Sequence, residues 1–189
     1  ELNSITISAD NANYCVVDGV LYDKAMTTFI AYPVANGKTD YEVPATVVNI
    51  GGLDYRIYRN LNVTFAEGHL AYKSVDGVVY DKDMTEIISV RKDKTGNYVM
   101  PETVEKIAQG AFDGTDLTSV VISPKVTEIV YCAFANCASL ESVTLPEGLI
   151  SIEMAAFENT TSLKSIELPS TLQYIGTRAF DYSGLTSLT

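Results

Sequence analysis

One histidine, His69, is all that this chain of 189 residues offers to a mechanism that needs an imidazole. A Ser-His-Asp or Cys-His site requires its histidine within hydrogen-bond reach of the nucleophile. His69 instead sits in the link Glu67-Gly-His-Leu70, where a surface or turn role is expected. A single histidine without Cys-x-x-Cys spacing also leaves no zinc ligand set. Basic residues are scarce: 13 Lys and Arg face 24 Asp and Glu, a formal net charge of −11. That balance argues against binding that neutralises a phosphate backbone, so no nucleic-acid partner is expected. The deficit is uneven, with 13 acids and 9 bases in residues 1–94 but 11 and 4 in residues 95–189. No apolar run approaches the roughly 20 residues that a membrane-spanning helix needs. Neither an initiator Met nor a signal-peptide pattern stands at Glu1, so any export signal is expected to have been removed.

What the chain has in abundance is repetition. Pro101, Pro124, Pro146 and Pro169 are 23, 22 and 23 residues apart, and Ala111-Phe112, Ala133-Phe134, Ala156-Phe157 and Ala179-Phe180 are 22, 23 and 23 apart. A period in the low twenties is one turn of a leucine-rich repeat solenoid, whose copies are too small to bury their own apolar faces and must stack. In the copy from 146 to 168 the apolar frame is Pro146, Leu149, Ile152, Ala156-Phe157, Leu163, Ile166 and Leu168. The preceding copy gives Pro124, Val126, Ile129, Ala133-Phe134, Leu140, Val143 and Leu145, one residue shorter near its start.

The tail of each copy, as in Leu140-Glu-Ser-Val143-Thr-Leu145, has the L-x-x-L-x-L spacing of a short parallel strand on a concave wall. Side chains on a strand alternate, so Val143 and Leu145 are expected in the core and Ser142 and Thr144 in solvent. Proline directly after the strand cannot donate a ladder hydrogen bond, which turns the chain. The Ile-x-x-x-Ala-Phe segment then crosses the convex side as one helical turn or a tight irregular arc. Truncating a buried Phe of this series is expected to cost roughly 3–5 kcal/mol.

The amino-terminal half follows the same grammar less regularly. Leu2-Asn-Ser4-Ile5-Thr-Ile7 reads as the strand end of a copy that begins before the chain, and Tyr41-Glu-Val-Pro44 lies over Tyr98-Val-Met-Pro101 at an offset of 57. The copy from 41 to 65 has Gly51-Gly-Leu-Asp-Tyr55 in place of Ala-Phe, so its arc is expected to be distorted. A second duplicated element lies between coils: Val17-Asp-Gly-Val20-Leu-Tyr22-Asp-Lys24 recurs as Val75-Asp-Gly-Val78-Val-Tyr80-Asp-Lys82. Asp-Gly between alternating apolar residues signals a hairpin with a type I′ turn. Each copy turns again at Asp-Lys into a third apolar run, giving two small β-meanders, 14–32 and 72–90, docked on or inserted into the solenoid. The expected fold is therefore one repeat solenoid over 1–189, mostly β and irregular. Its regular coils are 98–122, 123–145, 146–168 and 169–189, and both ends fall within a repeat.

The Pro101-x-x-Val104-x-x-Ile107-x-x-x-Ala111-Phe112 and Leu140-x-Ser-Val143-x-Leu145-Pro146 patterns, with the interspersed Val-Asp-Gly-Val segments, resemble the BspA-like type of bacterial leucine-rich repeat. The likeness is strongest from 72 to 189. It implies a right-handed leucine-rich repeat coil in an exported or surface-attached protein of the kind common in anaerobic gut and oral bacteria. Some members of that family act as adhesins for host matrix proteins or other cells. No family binding residue maps onto a position of this sequence.

Stacking would place the outward strand positions in two ladders, Ser4, Asn62, Ser119, Ser142, Ser165 and Ser187 beside Thr6, Thr64, Val121, Thr144, Glu167 and Thr189. The candidate binding residues are Ser119, Val121, Ser142, Thr144, Ser165 and Glu167. A wall of small hydroxyls suits an extended polypeptide or a glycan; the competing reading is that Ser serves lateral packing and hydrogen bonding between coils. Exposed tyrosines of the meanders, among Tyr14, Tyr22, Tyr72 and Tyr80, are alternative anchors. Arg91-Lys-Asp-Lys94 is the one basic cluster and reads as a solvated meander tip. Asp81-Lys-Asp83 and Asp113-Gly-Thr-Asp116 could offer oxygens to Ca²⁺ but match no EF-hand loop, and turn chemistry explains both. Acids are plentiful enough for a glycosidase pair, yet nothing marks one.

Cys137 falls where other copies carry Thr115, Thr160 and Ser183, so a buried structural thiol is expected. Cys132 aligns with Gly110, Ala155 and Arg178, and Cys15 with Lys73. A Cys132 to Cys137 bridge is disfavoured, because neighbouring arc residues seldom meet the required separation. Exported proteins usually oxidise their thiols, so three unpaired ones fit a reducing anaerobic setting. The functional expectation is a non-enzymatic module without cofactor that binds an extracellular protein, with glycan recognition or a spacer role as alternatives.

Overall fold

The computed structural model describes residues 2–33, 35, 37–50 and 61–188, and among them regular structure is strand and turn with no helix. No helix of the described residues is long and apolar enough to cross a membrane.

Strands β1 (Tyr14–Val17), β2 (Val20–Asp23) and β3 (Phe29–Ala31) form an antiparallel meander. It is followed by β4 (Asp40–Val43) and β5 (Asn62–Phe65), which pair in parallel. The plan then repeats with β6 (Tyr72–Val75), β7 (Val78–Asp81) and β8 (Glu86–Val90) as the second meander. Asp18 and Gly19 sit at φ 51° and 84°, Asp76 and Gly77 at 48° and 74°. Both central residues of each hairpin are thus left-handed, as a type I′ turn requires. At the next turn an aspartate gathers the donors. Asp81 Oδ1 accepts from the Thr85 and Glu86 N–H groups at 2.6 and 2.8 Å and Oδ2 from Thr85 Oγ1 at 2.7 Å. Asp23 does the same with Thr27 and Thr28.

The meanders are built into the solenoid rather than laid on it. β8 pairs in parallel with β10 (Lys106–Ile107), Ile87 opposite Ile107, and Thr28 bridges Asn49 in the same sense. The third strand of each meander therefore serves as a rung of the convex wall. A hydroxyl contact fixes each one: Tyr22 OH bonds Tyr41 OH in a half-buried position, and Tyr80 OH bonds Tyr98 OH at 2.6 Å in a buried one. Tyr22 and Tyr80 are consequently core residues and not surface anchors; Tyr72 is half-buried and Tyr14 exposed. On β7, Val78 and Tyr80 belong to an apolar cluster that runs to Ala179, while Val79 belongs to the cluster of Val20, Phe29, Val47 and Val63. This strand is buried on both faces and lies between the two cores.

The coils follow with β9 (Thr95–Val99), β11 (Asp116–Val121), β13 (Ser142–Thr144), β15 (Ser165–Ile166) and β17 (Ser187–Leu188) on the concave side. On the convex side β12 (Glu128–Ile129), β14 (Ser151–Ile152) and β16 (Tyr174–Ile175) form a parallel ladder in register at isoleucine. Between the walls the phenylalanines stack in a column, Phe112 to Phe134 at 4.7 Å, Phe134 to Phe157 at 5.3 Å and Phe157 to Phe180 at 5.5 Å between ring centroids. Phe112, Phe134 and Phe157 are fully buried.

Of the two arc shapes open to the sequence, the chain takes the irregular one. Residues before Ala (Gly110, Cys132, Ala155, Arg178) and three after it (Gly114, Asn136, Asn159, Tyr182) all have φ between 53° and 69°. This recurring left-handed backbone aims alternate N–H groups at the next coil. Phe112 donates to Ala133 O, Phe134 to Ala156 O and Phe157 to Ala179 O, at 2.7 to 2.9 Å. A helical turn would have spent those donors within its own coil.

At the amino end no strand forms at Leu2–Ile7, contrary to the sequence expectation. The alternation survives, with Ile5 and Ile7 half-buried and Ser4 and Thr6 exposed, but a rung needs a neighbouring ladder, and the segment is tied instead by Ala35 N–H to Leu2 O at 3.1 Å. The Gly51–Tyr55 arc and Thr189 lie outside the described residues.

Candidate functional site

Parallel pairing of β9, β11 and β13 puts Ser119 opposite Asn97 and Ser142, and Val121 opposite Val99 and Thr144. Alternation sends Tyr98, Val120 and Ile166 into the core, with Val143 half-buried. The outward columns are thus Asn97, Ser119, Ser142, Ser165 and Val99, Val121, Thr144, Glu167. Val121, Ser142, Thr144, Ser165 and Glu167 are exposed as expected, whereas Ser119 is half-buried. Its Oγ donates to Asn97 Oδ1 at 2.8 Å.

Asn62 is not part of this wall. It sits on β5 opposite Asp40, to whose Oδ1 its Nδ2 donates at 2.9 Å, so it belongs to the separate β4–β5 pair. Ser4 lies on no strand. Asn97 and Val99 take the place assigned to them, and sequence reasoning passed over both. The available signal was Tyr98-Val-Met100-Pro101, which repeats the alternation before proline of Val143-Thr-Leu145-Pro146.

The wall grades from apolar to acidic. Val99 is 66% and Val121 38% exposed at one end, and Glu167 is exposed at the other. The competing reading of the serines as links between coils fits Ser119 alone. Among the described residues the hydroxyls of Ser142, Thr144 and Ser165 and the carboxylate of Glu167 have no hydrogen-bond or ion-pair partner.

The backbone ladder is interrupted at this same place. Glu141 N–H donates to Thr118 O at 2.8 Å and Ile122 N–H to Thr144 O at 3.0 Å, and Thr186 N–H donates to Lys164 O at 3.2 Å, yet β13 and β15 fall in separate sheets and the equivalent bonds from Lys164 N–H to Glu141 O and from Leu145 N–H to Glu167 O are not made. A groove of about 340 Å³ opens there, lined by Ser142, Thr144, Glu147, Ser165, Glu167 and Pro169 among others. Among the described residues no Lys or Arg lines it. A second interruption lies on the convex side between β10 and β12. It coincides with the residue missing between Pro124 and Ile129, and the groove of about 660 Å³ above it carries both signs of charge. Lys125 Nζ reaches Glu105 Oε1 across it at 3.2 Å.

Other candidates resolve into structural roles. His69 is 8% exposed, so the surface reading fails while the turn reading holds: its Nδ1 accepts from the Ala71 and Tyr72 N–H groups at 3.3 and 3.2 Å, and its ring packs against Phe65 and Tyr72. Asp81 spends its carboxylate on the turn described above, and Asp113 Oδ1 accepts from Asn136 Nδ2 at 2.7 Å. In the basic cluster Arg91 pairs with Asp93, and Lys94 with Asp76 of the hairpin turn at 2.7 Å. Cys137 is buried, donating to Phe112 O at 2.9 Å, and burial pushes its thiol up to about 11. Burial raises the Cys132 thiol too, and all three cysteines are free.

A family model described as BspA type leucine rich repeat region, in six copies, matches residues 91–189. Among solved structures, the pneumococcal vaccine antigen PcpA is similar over 79% of this chain and 38% of its own, with 26% identity and a TM-score of 0.71. A leucine-rich repeat protein from Bacteroides capillosus matches over 62% of this chain and 96% of its own at 25% identity and a TM-score of 0.56. A leucine rich cell surface protein from Faecalibacterium prausnitzii shares the fold over 95% of this chain and 46% of its own at 24% identity and a TM-score of 0.52. The chain thus spans well under half the length of the first of these. No protein of curated function matches the sequence.

Proposed function

We propose that this chain, which belongs to the BspA-type leucine-rich repeat family, is a binding module presented outside a bacterial cell, holding a protein ligand on the concave wall and catalysing nothing. The whole of 1–189 acts as one solenoid in this reading, its meanders being enlarged coils. The observation that carries it is the set of uncommitted side chains on the outward columns of the wall: Ser142, Thr144, Ser165 and Glu167 are exposed without partners in the described chain. Uncommitted donors and acceptors at fixed spacing let an incoming backbone be satisfied without first breaking bonds within the protein. The surface location is supported by the F. prausnitzii neighbour, described as a cell surface protein, and an exposed role by PcpA, described as a vaccine antigen.

The test is saturable binding of the purified chain to a panel of immobilised matrix proteins, repeated with Ser142→Arg combined with Ser165→Arg. Both positions are exposed, and circular dichroism of the variant checks that the fold is kept. Loss of binding in the variant supports the wall. Binding that ignores the substitutions moves the site elsewhere, and saturation of a glycan array in place of the proteins replaces the ligand class.

A further inference from the structure

Glu147 and Glu167 both line the groove between β13 and β15, with no cation among its described lining residues, in the half of the chain that holds 11 acids against 4 bases. The interruption adds acceptors. By the register of the neighbouring steps, Lys164 N–H would bond Glu141 O and Leu145 N–H would bond Glu167 O; neither bond is made, and both carbonyls stay open. Of these, Glu167 belongs to the groove lining, and two carboxylates with its open carbonyl at a small polar groove match the donor fork of an arginine or the ammonium of a lysine. On the same column, Val121 and Val99 present an exposed apolar pair. From the middle of that pair to the middle of the groove is two rungs, about 10 Å at the usual strand spacing. A polyproline II segment repeats its side-chain direction every three residues, about 9.3 Å. A β-strand returns to the same face at about 6.6 or 13.2 Å and misses that distance.

We infer that the wall reads an extended, polyproline II-like peptide whose Lys or Arg enters the β13–β15 groove while an apolar side chain three residues away lies on Val99 and Val121. The inference rests on the concave-wall reading above and specifies its ligand. The occupant is a basic peptide because charge complementarity favours it; an acidic one would face Glu147 and Glu167 uncompensated.

The test uses a labelled octapeptide, Gly-Ser-Lys-Pro-Pro-Leu-Ser-Gly, with two controls, Lys replaced by Glu and Lys placed directly beside Leu, read by fluorescence polarisation against the full chain. The first peptide is expected to bind about fivefold or more tighter than either control. Combining Glu147→Gln with Glu167→Gln should weaken it by a similar factor and flatten its dependence on salt, with circular dichroism unchanged. Equal binding of the three peptides, or binding unaffected by the glutamine pair, overturns the inference. Failure of all three peptides to bind also overturns it. The two readings separate through Ser142→Arg with Ser165→Arg: if that pair abolishes protein binding while the glutamine pair does nothing, the wall stands and its basic-peptide specificity falls. If the arginine pair does nothing, the wall itself falls.

Discussion

Replacing Phe157 by alanine removes the middle of a three-ring sandwich. Its ring lies 5.3 Å from Phe134 and 5.5 Å from Phe180, within 5° of parallel to both, and none of it reaches solvent. Three coils share that one side chain, so the cavity left behind cannot close without shifting Ala156, which is itself fully buried. The expected loss is about 3–5 kcal/mol, the usual range for a buried Phe truncation that cannot collapse. Against a typical domain stability of about 5–15 kcal/mol this is a third or more of the whole. Phe180 provides the internal control. It is half-buried and stacks on Phe157, and its truncation should cost about half as much. Phe157→Leu, which keeps most of the volume, should cost under about 1.5 kcal/mol. The measurement is urea denaturation followed by far-ultraviolet circular dichroism, with tyrosine emission as the second probe because the chain has no Trp and 12 Tyr. Since a solenoid's coils couple only to neighbours, Phe157→Ala should also lower the denaturant slope if the terminal coils come to unfold separately. A midpoint shift for Phe157→Ala no larger than for Phe180→Ala would refute the shared column as the source of cohesion.

Tyr80→Phe or Tyr98→Phe should each cost about 1–3 kcal/mol by stranding a buried hydroxyl, while the double substitution recovers most of it; additive losses in a thermodynamic cycle would deny the pair any coupling. At Asn159, φ is 60°, so Asn159→Ala should be about 1 kcal/mol worse than Asn159→Gly, both losing the amide bond to Asn136; equal midpoints would remove backbone strain from the account. Burial pushes the Asp81 carboxyl up, but the bonds donated by Glu86 N–H, Thr85 Oγ1 and Thr85 N–H outweigh it and hold the pKa below its ordinary value. A depressed folded pKa contributes stability above the unfolded value, about 3.9, and loses it as pH falls through the folded one. Asp81→Asn should therefore show a smaller loss of stability than the native chain below about pH 4, and identical acid profiles would contradict that. At pH 8 a thiol reagent should leave Cys137 unmodified in the folded chain and label it in denaturant; rapid native labelling would place it at the surface.

The repeat grammar carried the fold because solenoid packing is nearly one-dimensional: a residue meets its own counterpart one coil away, so a period in the sequence is a contact in space. Phe112, Phe134, Phe157 and Phe180, the Asp-Gly turns and the outward Ser142, Thr144, Ser165 and Glu167 could all be placed that way. Positions that break the period could not. Asn97 and Val99 sit on a rung whose sequence lacks the Leu-x-Ser-Val frame, and Tyr22 and Tyr80 looked like anchors until their hydroxyls met Tyr41 and Tyr98. The left-handed arc was written in Gly110 and Gly114 but disguised by Cys132, Ala155 and Arg178, whose side chains do not advertise a positive φ.

From the sequence alone came the stacking, the polarity of the wall and the scarcity of histidine, because each depends on residue type and spacing. Tertiary structure alone decided where the ladder opens, which hydroxyls stay uncommitted and how the meanders join the coils. These turn on shifts of a few ångströms in backbone hydrogen bonds between rungs, and a one-dimensional pattern of side chains does not encode distances of that size.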